Sequence, residues 1–191
     1  MATKLEESVL ATLRENVMAK GIVSGTPHYI DRAEGALLWD LAGREYIDFG
    51  GGIAVMNVGH SHPKVVAAIK EQAEKFTHTC FMVHPYAPAV LLAEKLAAAV
   101  PGNSPKAGAF INSGAEGVEN AVKVARHATK RKAIIAFEGA FHGRSYLGMA
   151  LTSRVKPTKF GFGPLAPEIY RAPYAYCYRC PYGLNYPDCS V

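Results

Sequence analysis

Tryptophan occurs once and cysteine four times in the 191 residues, and in the reducing compartment expected for this chain no disulfide is expected. No uninterrupted apolar run approaches the roughly 18 residues of a bilayer-spanning helix. Glu6 and Glu7 stand where a secretory leader would be basic and then apolar, so the expectation is a cytoplasmic chain with no membrane partner. Charge excess is small as well. Lys and Arg total 21 against 16 Asp and Glu, a net +5, and the basic run Lys130-Arg131-Lys132 reads as a helix end. That argues against nucleic acid as a partner. There is no internal repeat, and 49% hydrophobic content is enough for one sizeable core plus a smaller appendage.

The most informative segment is Phe110-Ile111-Asn112-Ser113-Gly114-Ala115-Glu116. It runs from a strand-like stretch through a bend of small residues into a helix whose apolar stripe is Val118, Ala121, Val122 and Ala125. Glu116 and Glu119 open that helix and Lys123, Arg126, Lys130, Arg131 and Lys132 crowd its end, both in keeping with the macrodipole. Free amides at such an N-terminus suit a phosphate ester. On local grounds alone a plain structural turn is the simpler reading. Neither G-x-x-x-x-G-K-[ST] nor G-x-G-x-x-G surrounds the bend, which weakens nucleotide readings.

A second segment, Phe137-Glu138-Gly139-Ala140-Phe141-His142-Gly143-Arg144-Ser145, follows the strand-like Ala133-Ile134-Ile135-Ala136 and precedes a helix-like run from Tyr146 to Leu151. The two segments read as neighbouring β-α units of one parallel sheet, whose loops open on the same edge. Together, Asn112 to Lys123 and Phe141-His142-Gly143-Arg144 resemble the class III pyridoxal-phosphate aminotransferases, most closely the 4-aminobutyrate (ω-amino acid) branch. Tyr46 to Val55, followed by Gly59-His60-Ser61-His62-Pro63, is similar to the opening signature of that family, so the resemblance covers nearly the whole chain.

The resemblance implies an α/β fold, the large domain of a fold-type-I PLP-transferase, with a mostly parallel sheet, flanking helices and an N-terminal helix-hairpin segment. It assigns residues 1–58 to an N-terminal segment of the small domain and 59–191 to the first part of the PLP-binding large domain. It implies pyridoxal 5′-phosphate as cofactor, held by backbone amides of Gly114 and Ala115 and stacked on Phe141. Many relatives have serine where Ala115 stands, so only main-chain contacts carry over there. Arg144 would meet the substrate carboxylate, and Ile53 would wall the substrate pocket. The alternatives are an ordinary core phenylalanine at Phe141, a solvated arginine at Arg144 and a core isoleucine at Ile53. His142 reads as a non-catalytic loop residue, as do His60 and His62.

Transamination needs a lysine that holds the cofactor as a Schiff base and a carboxylate at the pyridine nitrogen. None of Lys64, Lys123, Lys132 or Lys156 has the context of that lysine. The expectation is therefore an N-terminal fragment, inactive by itself, with no catalytic residue of its own. The complete enzyme would be a homodimer taking an amino acid and a 2-oxo acid. The alternatives are a non-catalytic remnant, a split-enzyme half that pairs with a complementing chain, and an acetylornithine/ornithine-type enzyme. Cys177, Cys180 and Cys189 form C-x₂-C-x₈-C; a zinc site wants a fourth ligand, and no metal is expected.

The remaining elements are an amphipathic helix from about Leu5 to Lys20 and a hairpin of Ala36–Asp40 with Glu45–Phe49. Helices follow over Pro63–Phe76 and Pro88–Ala99, and a short strand, Glu168–Arg171, lies in a proline- and tyrosine-rich loop.

Overall fold

A computed structural model describes residues 6–187 and Cys189. The chain divides into two compact units between Tyr86 and Ala87.

The first unit begins with α1 (Glu7–Val17) and a three-stranded antiparallel meander of β1 (Ile30–Glu34), β2 (Leu37–Asp40) and β3 (Glu45–Ile47). The β2–β3 hairpin was legible. β1 was not, because Ile30-Asp31-Arg32-Ala33-Glu34 has little apolar alternation; it becomes a strand by pairing with β2, and Arg32 lies 3.5 Å over the Trp39 ring.

Asp40, almost fully buried, organises the hairpin. One oxygen accepts from the Ala42 and Arg44 amides, the other from Arg44 Nε at 2.6 Å and Tyr46 Oη at 2.8 Å. The far end of Arg44 donates to Glu7 at 2.9 Å, which ties α1 to the hairpin. Burial pushes the Asp40 carboxyl up, but the bonds from Arg44 and Tyr46 outweigh it and bring its pKa from 3.8 to about 2. A carboxylate depressed in the folded state stabilises above its unfolded pKa, and that contribution is lost as pH falls through the folded value. Melting temperature is thus expected to fall more steeply for the wild type than for Asp40→Asn between pH 3.8 and about 2. Parallel curves across that window would refute the network's role.

After β3 comes a short turn, α2 (Gly51–Ala54), and then α3 (Pro63–Lys75), which has proline at its first position.

The second unit contains α4 (Ala87–Ala99), α5 (Gly114–Thr129), β4 (Ile134–Phe137), α6 (Tyr146–Leu151), β5 (Ile169–Ala172) and a 3₁₀ turn, Cys177–Arg179. β4 and β5 pair in parallel, Ile134 opposite Ile169 and Phe137 opposite Ala172, with α6 in the crossover. Its core joins Val122 of α5, Ala136 of β4 and Leu147 and Leu151 of α6. Arg171 of β5 reaches the end of α6 and donates to the carbonyls of Ala150, Leu151 and Thr152, a cation where the helix dipole favours one.

Two expectations are corrected here. Phe110-Ile111 is irregular rather than a strand, since no strand among the described residues pairs with it. On α5, Val122 is buried and Val118 half-buried, but Ala121 and Ala125 are exposed, because the packing of β4 and α6 covers only part of the expected stripe.

Candidate functional site

The start of α5 is capped by its own sequence. Ser113 Oγ accepts from the Glu116 amide at 3.2 Å, the Ser113 carbonyl accepts from Gly117, and the Glu116 carboxylate reaches back to the Asn112 amide at 2.9 Å, a close variant of the capping box. This accounts for the amides of Glu116 and Gly117. The amides of Gly114 and Ala115 have no hydrogen-bond acceptor among the described residues, and nothing lies within 4 Å of where a Gly114 side chain would begin. Two unpaired amides at a positive helix end, with open space before them, are what an anionic group requires.

The loop between β4 and α6 packs directly on that helix start. Gly143 is buried with φ +117°, and a Cβ added there would lie 2.8 Å from Ala115 Cβ and 3.1 Å from Ala115 Cα. Only glycine permits that approach. Thr152, fully buried just beyond α6, fixes the loop from behind: its hydroxyl accepts from the His142 amide at 3.0 Å and donates to the Gly143 carbonyl at 2.9 Å. On either side of this anchored pair, Phe141 is 63% exposed and Arg144 is exposed immediately before the cap of α6. Phe141 is therefore not buried by the described residues. His142 is half-buried and serves the loop through its backbone.

Glu119 is placed differently from its expected role at the head of its own helix. One carboxylate oxygen accepts from Ser145 Oγ at 2.6 Å, Leu147 N at 2.9 Å and Gly148 N at 3.2 Å, so it caps α6 instead. Burial raises its pKa, but these three bonds outweigh that and hold the carboxyl below the ordinary glutamate range. Neither Glu119 nor Thr152 was singled out as part of the site by sequence reasoning. The capping box at Ser113 and Glu116 was readable as S-x-x-E; the contacts of Glu119 span 26 to 29 residues and those of Thr152 span 9 and 10, and they leave no local signal.

In the first unit, Asp48 accepts from the Gly50 and Gly51 amides with one oxygen and lies 2.6 Å from His60 Nε2 with the other. Around this clamp Gly51, Gly52, Ile53 and Ala54 all have positive φ, 62° at Ile53. A β-branched residue is strained in that conformation. Ile53 is 95% exposed, so no described residue buries it.

Among the described residues, one group of three potential metal ligands lies within 4.8 Å: Glu7, His28 and Asp40. Arg44 bridges Glu7 and Asp40, so the group is an ion-pair network. Cys177, Cys180 and Cys189 are free, and among the described residues they form no such group. No helix among the described residues is long and apolar enough to cross a membrane.

The sequence model of the family described as aminotransferase class-III matches residues 19–188. The chain belongs to this family. This class-III chain is 51% identical over 172 residues to a probable 4-aminobutyrate aminotransferase of Bacillus subtilis, which covers 90% of the chain and 39% of the relative. It is 49% identical over 170 residues to the 5-aminovalerate aminotransferase DavT of Pseudomonas aeruginosa, covering 89% and 40%. Among solved structures, the taurine:2-oxoglutarate aminotransferase of Bifidobacterium kashiwanohense, in complex with PLP and glutamate, superposes with a TM-score of 0.79 at 31% identity, over 93% of this chain and 40% of that one. The fold is that of fold-type-I PLP-dependent transaminases. The chain spans about two fifths of the length of these relatives.

Proposed function

We propose that this chain is the N-terminal part of a pyridoxal 5′-phosphate-dependent aminotransferase that moves an amino group from 4-aminobutyrate, or a related ω-amino acid, to 2-oxoglutarate. Residues 59–191 would begin its large, cofactor-binding domain. The observation that carries this reading is the seat of Gly143 on Ala115, which sets the loop of Phe141 and Arg144 beside two unpaired helix amides.

The residues present fit the cofactor. When bound, pyridoxal 5′-phosphate supplies the electron sink that lets an amino group pass between an amino acid and a 2-oxo acid. Gly114 and Ala115 donate their amides to its phosphate. Phe141 offers a flat apolar face to its ring. Arg144 pairs through its guanidinium fork with a substrate carboxylate, and Ile53 is proposed as an apolar contact for the substrate. No lysine of this chain is assigned as the one that carries the cofactor.

The 4-aminobutyrate branch is favoured by Val118-Glu119-Asn120-Ala121 and by the likeness to the Bacillus subtilis relative. A five-carbon ω-amino acid is the second reading, favoured by the likeness to the 5-aminovalerate enzyme. A homodimer is part of the proposal; Val90, Leu91, Leu92 and Leu96 of α4 are exposed apolar side chains of the kind that association covers.

Binding of pyridoxamine 5′-phosphate, which has no aldehyde to react with surface lysines, tests the cofactor site. Gly114→Glu, which sets a carboxylate before the free amides, is expected to weaken it at least about tenfold. Equal affinity for pyridoxamine with and without its phosphate would sink the reading.

A further inference from the structure

We propose that Glu119 is a positioning residue that sets the loop carrying Phe141 and Arg144 against the phosphate end of α5; this rests on the functional reading above. Ala115, Glu119 and Val122 are spaced four and three residues apart and share one face of α5. That face meets, in turn, Gly143 of the loop, the start of α6 and the core. Glu119 therefore sits between the contact that seats the loop and the packing that holds α6.

Its three donors are informative. Two are the amides of Leu147 and Gly148, which cannot turn away as side chains can. The third is the hydroxyl of Ser145, which occupies the cap position of α6 but makes no cap bond to its own helix. A helix of six residues is too short to hold itself. A carboxylate from α5 supplies the missing cap, and its charge strengthens all three bonds. Arg144 precedes Ser145 directly, so fixing Ser145 to α5 fixes the origin of the Arg144 side chain. One oxygen of the carboxylate holds all three donors within the protein, and Glu119 is not itself proposed as a ligand site.

A cap that served only stability would affect every ligand alike. A positioning residue separates the ligand that needs the loop from the one that needs only the helix. The test follows amide resonances of the 191-residue chain during titration with inorganic phosphate and with pyridoxamine 5′-phosphate. In the wild type both probes are expected to shift Gly114 and Ala115, and the second also Phe141. Glu119→Ala is expected to leave phosphate affinity within about twofold and to weaken pyridoxamine 5′-phosphate about tenfold or more, with the Phe141 shift lost. Glu119→Gln, which keeps an acceptor oxygen, recovers most of that loss.

Equal weakening of both probes, or of neither, overturns the proposal. If Glu119→Ala does not fold, Ser145→Ala removes one donor of three and is expected to show the same split at about threefold; an unsplit response there overturns it too. A wild type that binds neither probe overturns the functional reading, and this inference falls with it.

Discussion

Replacing Gly143 by alanine is expected to destabilise the second unit by roughly 2–5 kcal/mol and to abolish cofactor binding with it. Two costs add. The new Cβ would sit 2.8 Å from Ala115 Cβ and 3.1 Å from Ala115 Cα, and overpacking of this kind costs about 1–3 kcal/mol. The backbone at φ +117° would also have to carry a side chain, for about 1–2 kcal/mol more. The loop cannot retreat, since Thr152 holds both the His142 amide and the Gly143 carbonyl. Urea unfolding followed by circular dichroism reads the loss. Adding Ala115→Gly removes the clash with the Ala115 methyl but relieves neither the close approach to the α5 backbone nor the φ cost, so the double variant should recover only about 1 kcal/mol. A Gly143→Ala chain as stable as the wild type would mean that the loop is not seated on α5.

Thr152→Val is the second large effect. The side chains match in size, but valine leaves the His142 amide and the Gly143 carbonyl without the hydroxyl that serves both. Each group left unpaired costs about 1–3 kcal/mol, so for the two a loss of about 2–6 kcal/mol is expected. Thr152→Ser keeps the hydroxyl and gives up one methyl, for about 0.5–1.5 kcal/mol. The order wild type, serine, valine in unfolding free energy is the result to look for. Valine at or above serine would show that the hydroxyl bridge contributes nothing.

Local signals were legible wherever they were strong. The helix α5, the strand β4, the short helix α6 and the β2–β3 hairpin stand within a few residues of where periodicity and turn chemistry put them. Phe110-Ile111 had the right residues for a strand, but a strand exists only with a neighbour to bond, and pairing is not written in a single segment. β1 is the converse, a polar stretch made into a strand by β2. For the site, the small-residue bend before α5 pointed to Gly114 and Ala115, whereas the roles proposed for Phe141 and Arg144 came from the family resemblance alone. What joins them was not legible. Glu119 reads locally as a charge that suits its own helix dipole, and only the fold turns it toward α6. Thr152 reads as a loop threonine until its burial is known.

Ile53 carries a consequence for redesign. Its backbone lies where glycine is at ease and isoleucine is not, and its side chain is almost wholly exposed in the first unit. A protocol that rewards thermal stability alone would therefore exchange it for glycine, relieving about 1–2 kcal/mol of conformational strain. The same exchange would erase the apolar wall proposed for the substrate pocket. At this turn, improving the fold and keeping the proposed substrate contact are opposing objectives, and under that proposal the position is one to hold fixed in any stabilisation library.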